Sequence, residues 1–306
     1  MHPCHYVWDG VTIDRFGRVT PCCLLQPGVG GSIYDAPLAE LVNSDAARRF
    51  RVEARAGRSP CRASCHLLRP EEPAPSSQGD LIDYGDLRHL HLGFGDACNL
   101  DCIMCRRVRG NVTALSAAAL VRNVDLRPFR EIVIQGGEPL AIPECLHYLD
   151  HLAVQAKPYV LLTNGLLIDE DRAQDLALHA AKVVVSLNAA TQEVHERVNR
   201  GSRWEQVLAS VERLRAARDA RGTPMELVCR VTMVPENLTD VPGALRLFQA
   251  WGFDSLNFGF DRRSVPQFLR EHPELKDRLR QDIRSALGTL GVRRADLHRL
   301  DLLGLV

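Results

Sequence analysis

The chain has 306 residues, 45% hydrophobic and 25% charged, an ordinary soluble composition with room for a barrel-sized domain and a smaller one. Lys+Arg and Asp+Glu both number 38, so no net basic field draws nucleic acid or an acidic membrane surface. No stretch reaches the roughly 20 apolar residues of a membrane helix, and Met1-His2-Pro3-Cys4-His5 lacks the basic head and apolar core of a signal peptide.

A cytoplasmic, reducing setting is therefore expected, where ten cysteines read as metal ligands or redox groups rather than as disulfides. They stand at 4, 22, 23, 61, 65, 98, 102, 105, 145 and 229, so eight fall within the first 105 residues. That asymmetry predicts a metal-rich N-terminal module (residues 1–75) followed by a conventional domain (residues 81–306). The boundary lies in the Pro-, Ser- and acid-rich run from Arg69 to Asp80.

In the module, Val11–Ile13 and Val19–Cys22 read as a hairpin turning at Phe16-Gly17-Arg18, and Pro37 to Ala56 reads as one helix. After the linker, strands alternate with helices, the pattern of a parallel sheet with crossover helices. The strands expected are His89–Phe94, Glu131–Gln135, Tyr159–Thr163, Lys182–Leu187, Leu227–Met233 and Ser255–Phe260. Helices fall near 114–125, 143–156, 169–180, 203–220 and 239–251, with a last one near 265–287. Six such units predict an α/β fold, a partial (βα)6 barrel, with ligands at the C-terminal strand ends.

Two motifs sit at those ends. Cys98, Cys102 and Cys105 form C-x3-C-x2-C just after the first barrel strand. Three thiolates on a tight loop can hold three irons of a 4Fe–4S cube and leave the fourth open to a chelating amino acid. A zinc knuckle is the alternative, although zinc sites usually close with a fourth ligand, for which His91 is the nearest upstream candidate. One unit later, Gly136-Gly137-Glu138-Pro139 ends a strand, and its glycines allow a ligand close to the backbone. Unpaired backbone groups there, with Glu138, are suited to hold an ammonium group.

Together, GDACNLDCIMC and IVIQGGEPL resemble the radical S-adenosylmethionine (SAM) superfamily over about residues 86–261. The resemblance implies a cluster that reduces SAM to methionine and a 5′-deoxyadenosyl radical, and a flavodoxin- or ferredoxin-type reductant. It implies that Cys98, Cys102 and Cys105 bind the cluster, that Gly136–Glu138 and Pro139 contact SAM, and that Met104 lies against adenine. Thr163, Asn164, Ser186 and Asn188, at the third and fourth strand ends, stand where SAM's ribose and carboxylate would lie. Turn and capping roles are open for the same four.

Cys4, Gly17 and Cys22 read C-x12-G-x4-C, and Cys61 and Cys65 add C-x3-C. Gly17 turns the hairpin so that Cys22 returns toward Cys4, and four thiolates can ligate every iron of a second 4Fe–4S cluster. Structural zinc is the alternative. The module resembles the cluster hairpin of SPASM and twitch domains, although it precedes the barrel and lacks the full cysteine set. One auxiliary cluster is therefore expected, with Cys22 favoured over Cys23.

Cys145 falls in a helix and reads as core. Cys229 falls in the fifth barrel strand, where alternate side chains face inward, and is expected either to return a hydrogen atom to a substrate radical or to pack as a small hydrophobe. The first option predicts epimerisation at a carbinol carbon of a sugar-containing natural product, as in antibiotic-pathway members of the superfamily. A dehydrogenase using the auxiliary cluster as electron acceptor, a peptide maturase and a non-catalytic iron–sulfur or zinc scaffold are the alternatives. A small-molecule or glycan substrate is expected, with no nucleic-acid or membrane partner.

Overall fold

The computed structural model describes residues 4–22, 25, 30–56, 58, 79–290 and 295–306. They form two compact units, Met1–Ala97 with Val108–Leu161, and Cys98–Arg107 with Leu162–Val306.

The first unit begins with a one-turn helix α1 (Tyr6–Asp9) and a hairpin of β1 (Gly10–Ile13) and β2 (Val19–Thr20). The Asp14 carboxylate accepts the amides of Phe16 and Arg18, and Gly17 turns the chain at a φ of 73°. Two helices follow, α2 (Leu38–Leu41) and α3 (Asp45–Arg55), where the sequence predicts one. The break has local causes. Ser44 caps α3 by accepting the Ala47 amide, and Asn43 bonds the Ile82 carbonyl instead of continuing a helix.

β1 pairs in parallel with β3 (His89–Gly93), from Gly10 opposite His89 to Ile13 opposite Leu92. The N-terminal hairpin is thus hydrogen-bonded into the same sheet as the first barrel strand. After α4 (Ala117–Asn123), β4 (Glu131–Gln135) pairs with β3, and after α5 (Pro143–Val154), β5 (Tyr159–Thr163) pairs with β4. The order is β2-β1-β3-β4-β5. Leu90, Leu92, Ile132 and Ile134 are buried in its core.

In the second unit α6 (Glu170–His179) leads to β6 (Ala180–Ser186), a short α7 (Gln192–Val198) and the long α8 (Trp204–Arg221), which Gly222 closes in the left-handed conformation. Next come β7 (Glu226–Met233), α9 (Val241–Leu247), β8 (Ser255–Phe260), α10 (Ser264–Glu271), α11 (Pro273–Leu290), β9 (Ala295–Asp296) and α12 (His298–Asp301). β6, β7, β8 and β9 lie side by side, all parallel. Pro273 opens α11 and splits the single last helix expected from sequence. α7, β9 and α12 were not expected.

Each of the six strands β3 to β8 is followed by a helix along the chain, which is the alternation of the partial (βα)6 barrel. Among the described residues, no helix is long and apolar enough to cross a membrane.

Candidate metal and cofactor site

The loop Cys98–Arg107 belongs to the second unit and carries three cysteines, with Cys98 and Cys102 half-buried and Cys105 exposed. Its backbone is pinned on both sides of Cys102. The Asp101 amide donates to the Arg200 carbonyl at 2.9 Å, and the Ile103 amide to the Val198 carbonyl at 3.0 Å. Leu100 is buried and packs toward Gly201, where an added Cβ would meet its Cδ2 at 3.5 Å. The Arg107 guanidinium donates back to the Leu100 carbonyl, and Arg106 pairs with Asp261 beyond β8.

Burial first, and then the neighbouring Cys98 and Cys105 thiols, push the Cys102 thiol up to about 12. Cys102 thus becomes a thiolate only against a positive centre, and it shares its loop with two more sulfur donors. That donor set fits an iron cluster. The Leu100 amide lies 3.4 Å from Cys98 Sγ, a donor placed to stabilise charge on that sulfur. Asn164, after β5, sends its Nδ2 to Asn99 Oδ1 at 2.7 Å and lies 4.0 Å from Cys98 Sγ. Met104 is half-buried in the same loop.

The other strand-end candidates hold the backbone in part. Thr163 Oγ1 accepts the Gly165 amide, Asn164 Oδ1 accepts the Leu166 amide, and Ser186 is half-buried. Asn188 is buried, with Oδ1 on the Thr232 amide and Nδ2 on Asn199 Oδ1.

Gly136-Gly137-Glu138-Pro139 lies in the first unit. The Gly137 amide donates to the Gly95 carbonyl at 2.7 Å, and the Glu138 amide to the Ala97 carbonyl at 2.8 Å. Both amides are thus spent on the segment between β3 and the cysteine loop. An ammonium needs acceptors, so the carbonyls of this turn are the suited groups. Gly137 is obligatory, since a Cβ there would stand 2.2 Å from the Ala97 carbonyl oxygen. Glu138 is fully buried and accepts the Leu140 amide, capping the 3-10 turn Pro139–Ala141. His91 lies mid-strand between Thr12 and Val133, and burial lowers its pKa.

Of the N-terminal cysteines, Cys4 is half-buried with its carbonyl on the Val7 amide, and Cys22 is buried with its carbonyl on Thr20 Oγ1. Gly10 lets the chain close here, since a Cβ would stand 2.7 Å from the Tyr6 ring and 3.0 Å from the Pro21 carbonyl. Cys23, Cys61 and Cys65 lie outside the described residues. His5, Asp9 and His89 place ligand atoms within 4.8 Å of one another, with His5 on Asp9 at 3.1 Å and His89 on Glu131 at 3.0 Å.

Cys145 is fully buried in α5, as expected of core. Cys229 is fully buried on the β7 face shared by Leu227, Val231 and Met233, with Val185 and Leu256 beside it in register. Arg230 and Thr232 take the opposite face, against which Gly259 packs, and Asn257 lies opposite Arg230 there. Asn257 Oδ1 is buried without a hydrogen-bond partner.

Sequence reading missed Asp96, buried two residues before Cys98. It accepts from Arg15 at 3.0 Å, the Val108 amide at 3.3 Å and Asn111 at 3.1 Å. It missed His195 and Asn199 as well, although their i, i+4 spacing before Arg200-Gly201 marks one helical face.

A strand-end cysteine triplet and a glycine turn spent on the adjoining strand are features of one class of redox enzyme. The chain belongs to the radical SAM superfamily, whose sequence profile matches residues 92–248, more than half its length. An iron–sulfur cluster-binding domain of the SPASM type matches residues 4–66. It is a radical SAM enzyme, with 4Fe–4S clusters and SAM as cofactors.

Among curated relatives, a GTP 3′,8-cyclase of Geobacter sulfurreducens is 29% identical over 174 residues, 53% of this chain and 51% of that one. The mycofactocin maturase MftC of Mycobacterium ulcerans is 27% identical over 40% of this chain and 34% of its own. The chain thus spans about half the length of the cyclase, and less of the maturase. Among solved structures, Streptococcus suis SuiB bound to its precursor peptide SuiA aligns with 92% of this chain and 70% of that one, at 13% identity and a TM-score of 0.48.

Proposed function

We propose that Cys98, Cys102 and Cys105 ligate three irons of the catalytic cluster, and that Gly136, Gly137, Glu138 and Pro139, Met104, and Thr163, Asn164, Ser186 and Asn188 are residues that contact SAM. Three cysteines at C-x3-C-x2-C spacing on one loop, whose backbone is pinned on both sides of Cys102 to the Arg200 and Val198 carbonyls, carry this reading. Cys4, Cys22, Cys61 and Cys65 would hold the auxiliary cluster. With both groups bound, the cluster supplies the electron that cleaves SAM and yields the 5′-deoxyadenosyl radical.

The chain's own part is to present a C–H bond and exclude water. Arg230, Thr232 and Asn257 give β7 and β8 a polar face, and the unpartnered Asn257 Oδ1 asks for a hydrogen-bond donor. This supports a hydroxyl-bearing substrate with attack at a carbinol carbon. Hydrogen-atom removal there, then loss of the hydroxyl proton and one electron, would leave a carbonyl, and an auxiliary cluster held by Cys4, Cys22, Cys61 and Cys65 would supply the acceptor for that electron. Epimerisation would require Cys229 to meet the substrate, whereas its thiol packs among aliphatic side chains on the other face of β7. Net oxidation is therefore the favoured outcome, and epimerisation the second.

The test is anaerobic reconstitution with iron and sulfide, addition of SAM and dithionite, and chromatographic measurement of 5′-deoxyadenosine. It should form, and should vanish when all three cysteines become alanine. With a hydroxylated substrate, a product lighter by two hydrogens supports oxidation. An inverted product of unchanged mass, lost in Cys229→Ala, would establish the thiol-donor reading instead.

A further inference from the structure

The cysteine loop hangs on a segment that has no regular structure of its own. Val198 ends α7, and Asn199 leaves the helix at φ −98° and ψ 71°. Gly201 then turns at a φ of 89°. Yet the carbonyls of Val198 and Arg200, on either side of Asn199, receive the amides on either side of Cys102. Something must fix those two carbonyls, and the Asn199 side chain is placed to do so.

Asn199 is 1% exposed. Its Oδ1 accepts from Asn188 Nδ2 at 2.8 Å. Asn188 is in turn fastened to the end of β7 by the Thr232 amide at 2.7 Å, and Asn237 Nδ2 donates to the Asn188 carbonyl at 2.6 Å. On its other side, Asn199 Nδ2 lies 3.3 Å from both ring nitrogens of His195, whose Nε2 meets Ser202 Oγ at 2.8 Å. The Asn199 amide also donates to the His195 carbonyl at 2.7 Å, and the Ser202 amide to the Asn199 carbonyl at 2.8 Å. An amide side chain is needed at this point, because one end accepts from Asn188 while the other donates toward His195. Aspartate has no donor, and an aliphatic residue would leave two buried polar partners unmet.

We propose that Asn199 is a positioning residue for the catalytic cluster: locked between Asn188 and His195, it sets the two carbonyls that aim Cys102. This rests on the reading that the three cysteines of the loop hold that cluster. The path runs from the ends of β6 and β7, through one buried side chain, to the middle cysteine. Asn199 touches no cysteine, and its effect is on where the sulfurs point and so on the geometry SAM meets. Polar groups behind metal ligands are worth about 10-fold or more in affinity when removed.

The test compares the anaerobically reconstituted full chain with its Asn199→Ala and Ser202→Ala variants. Electron paramagnetic resonance of the dithionite-reduced protein is followed as SAM is added. Asn199→Ala should keep its iron content but need about 10-fold more SAM to half-complete the spectral change, with an altered line shape. Ser202→Ala, which removes only the partner beyond His195, should shift in the same direction by less, and it decides the question if Asn199→Ala does not fold. Ser210→Ala removes a hydroxyl buried in α8 and controls for lost stability. A wild-type half-saturation and line shape in Asn199→Ala would overturn the proposal, as would an equal shift in Ser210→Ala. Failure of the underlying cluster reading looks different. The wild type would then give no SAM-dependent change, and the triple cysteine variant would keep all its iron.

Discussion

At Gly137 the absence of a side chain is what lets two strand ends meet. An added methyl would lie 2.2 Å from the Ala97 carbonyl oxygen and 2.6 Å from that of Asp96, both backbone atoms with no rotamer to yield. At Gly136 the nearest atom stands at 3.2 Å, so a small shift accommodates the methyl. Gly137→Ala should therefore lower 5′-deoxyadenosine formation by about 100-fold, because displacement of about an ångström at a reacting centre costs that much. Gly136→Ala should be far milder, and equal rates in the two variants would contradict this account. The sequence made the glycine pair visible, but it could not tell which of the two is obligatory. That depends on Asp96 and Ala97, some forty residues earlier in the chain.

Among the elements, α7 places its chemistry on its buried side. His195 is fully buried there, edge-on to Trp204, with Asn199 and Ser202 as polar partners. Burial lowers its pKa to about 4 from 6.5, and Glu196 opposes that only in part. The folded chain thus resists a proton that the unfolded chain accepts. Stability is unaffected above about pH 6.5 and falls as the pH drops through 6.5 toward 4, by about 1 kcal/mol at pH 6 and about 3 kcal/mol in all. Urea unfolding at pH 8 and pH 6 should show this loss in the wild type and not in His195→Gln. An identical loss in both would place the acid sensitivity elsewhere. α7 was invisible in the sequence because seven residues of polar, weakly periodic helix carry too little pattern. Tertiary hydrogen bonds at its two ends, from the Thr191 amide to the Asp240 carboxylate and from Asn188 to Asn199, hold it instead.

On the scale of the whole molecule, the N-terminal residues enter the barrel's own sheet. β1 pairs with β3 from His89 to Leu92, and its Val11 and Ile13 are buried. Removing residues 1–78 would bare the β3 edge, with its unpaired amides and carbonyls, along with apolar surface that the hairpin covers. The truncated chain should elute as aggregate in size-exclusion chromatography. A soluble monomer with the full chain's circular dichroism would mean that the hairpin is an independent module after all.

The sequence by itself determined the spacing of the cysteines, the glycine pair and most of the strands. Cysteine spacing and strand-end glycines are local patterns, and buried parallel strands announce themselves as apolar runs such as Val183–Val184–Val185. Only the tertiary structure decided what those positions do to one another. The face on which Cys229 lies depends on strand register, and the partner of Gly137 on a close approach between β-strand ends. The hold on Cys102 depends on two carbonyls nearly a hundred residues away. Each is a contact between segments distant in sequence, and a single chain written in order carries no local pattern for such contacts.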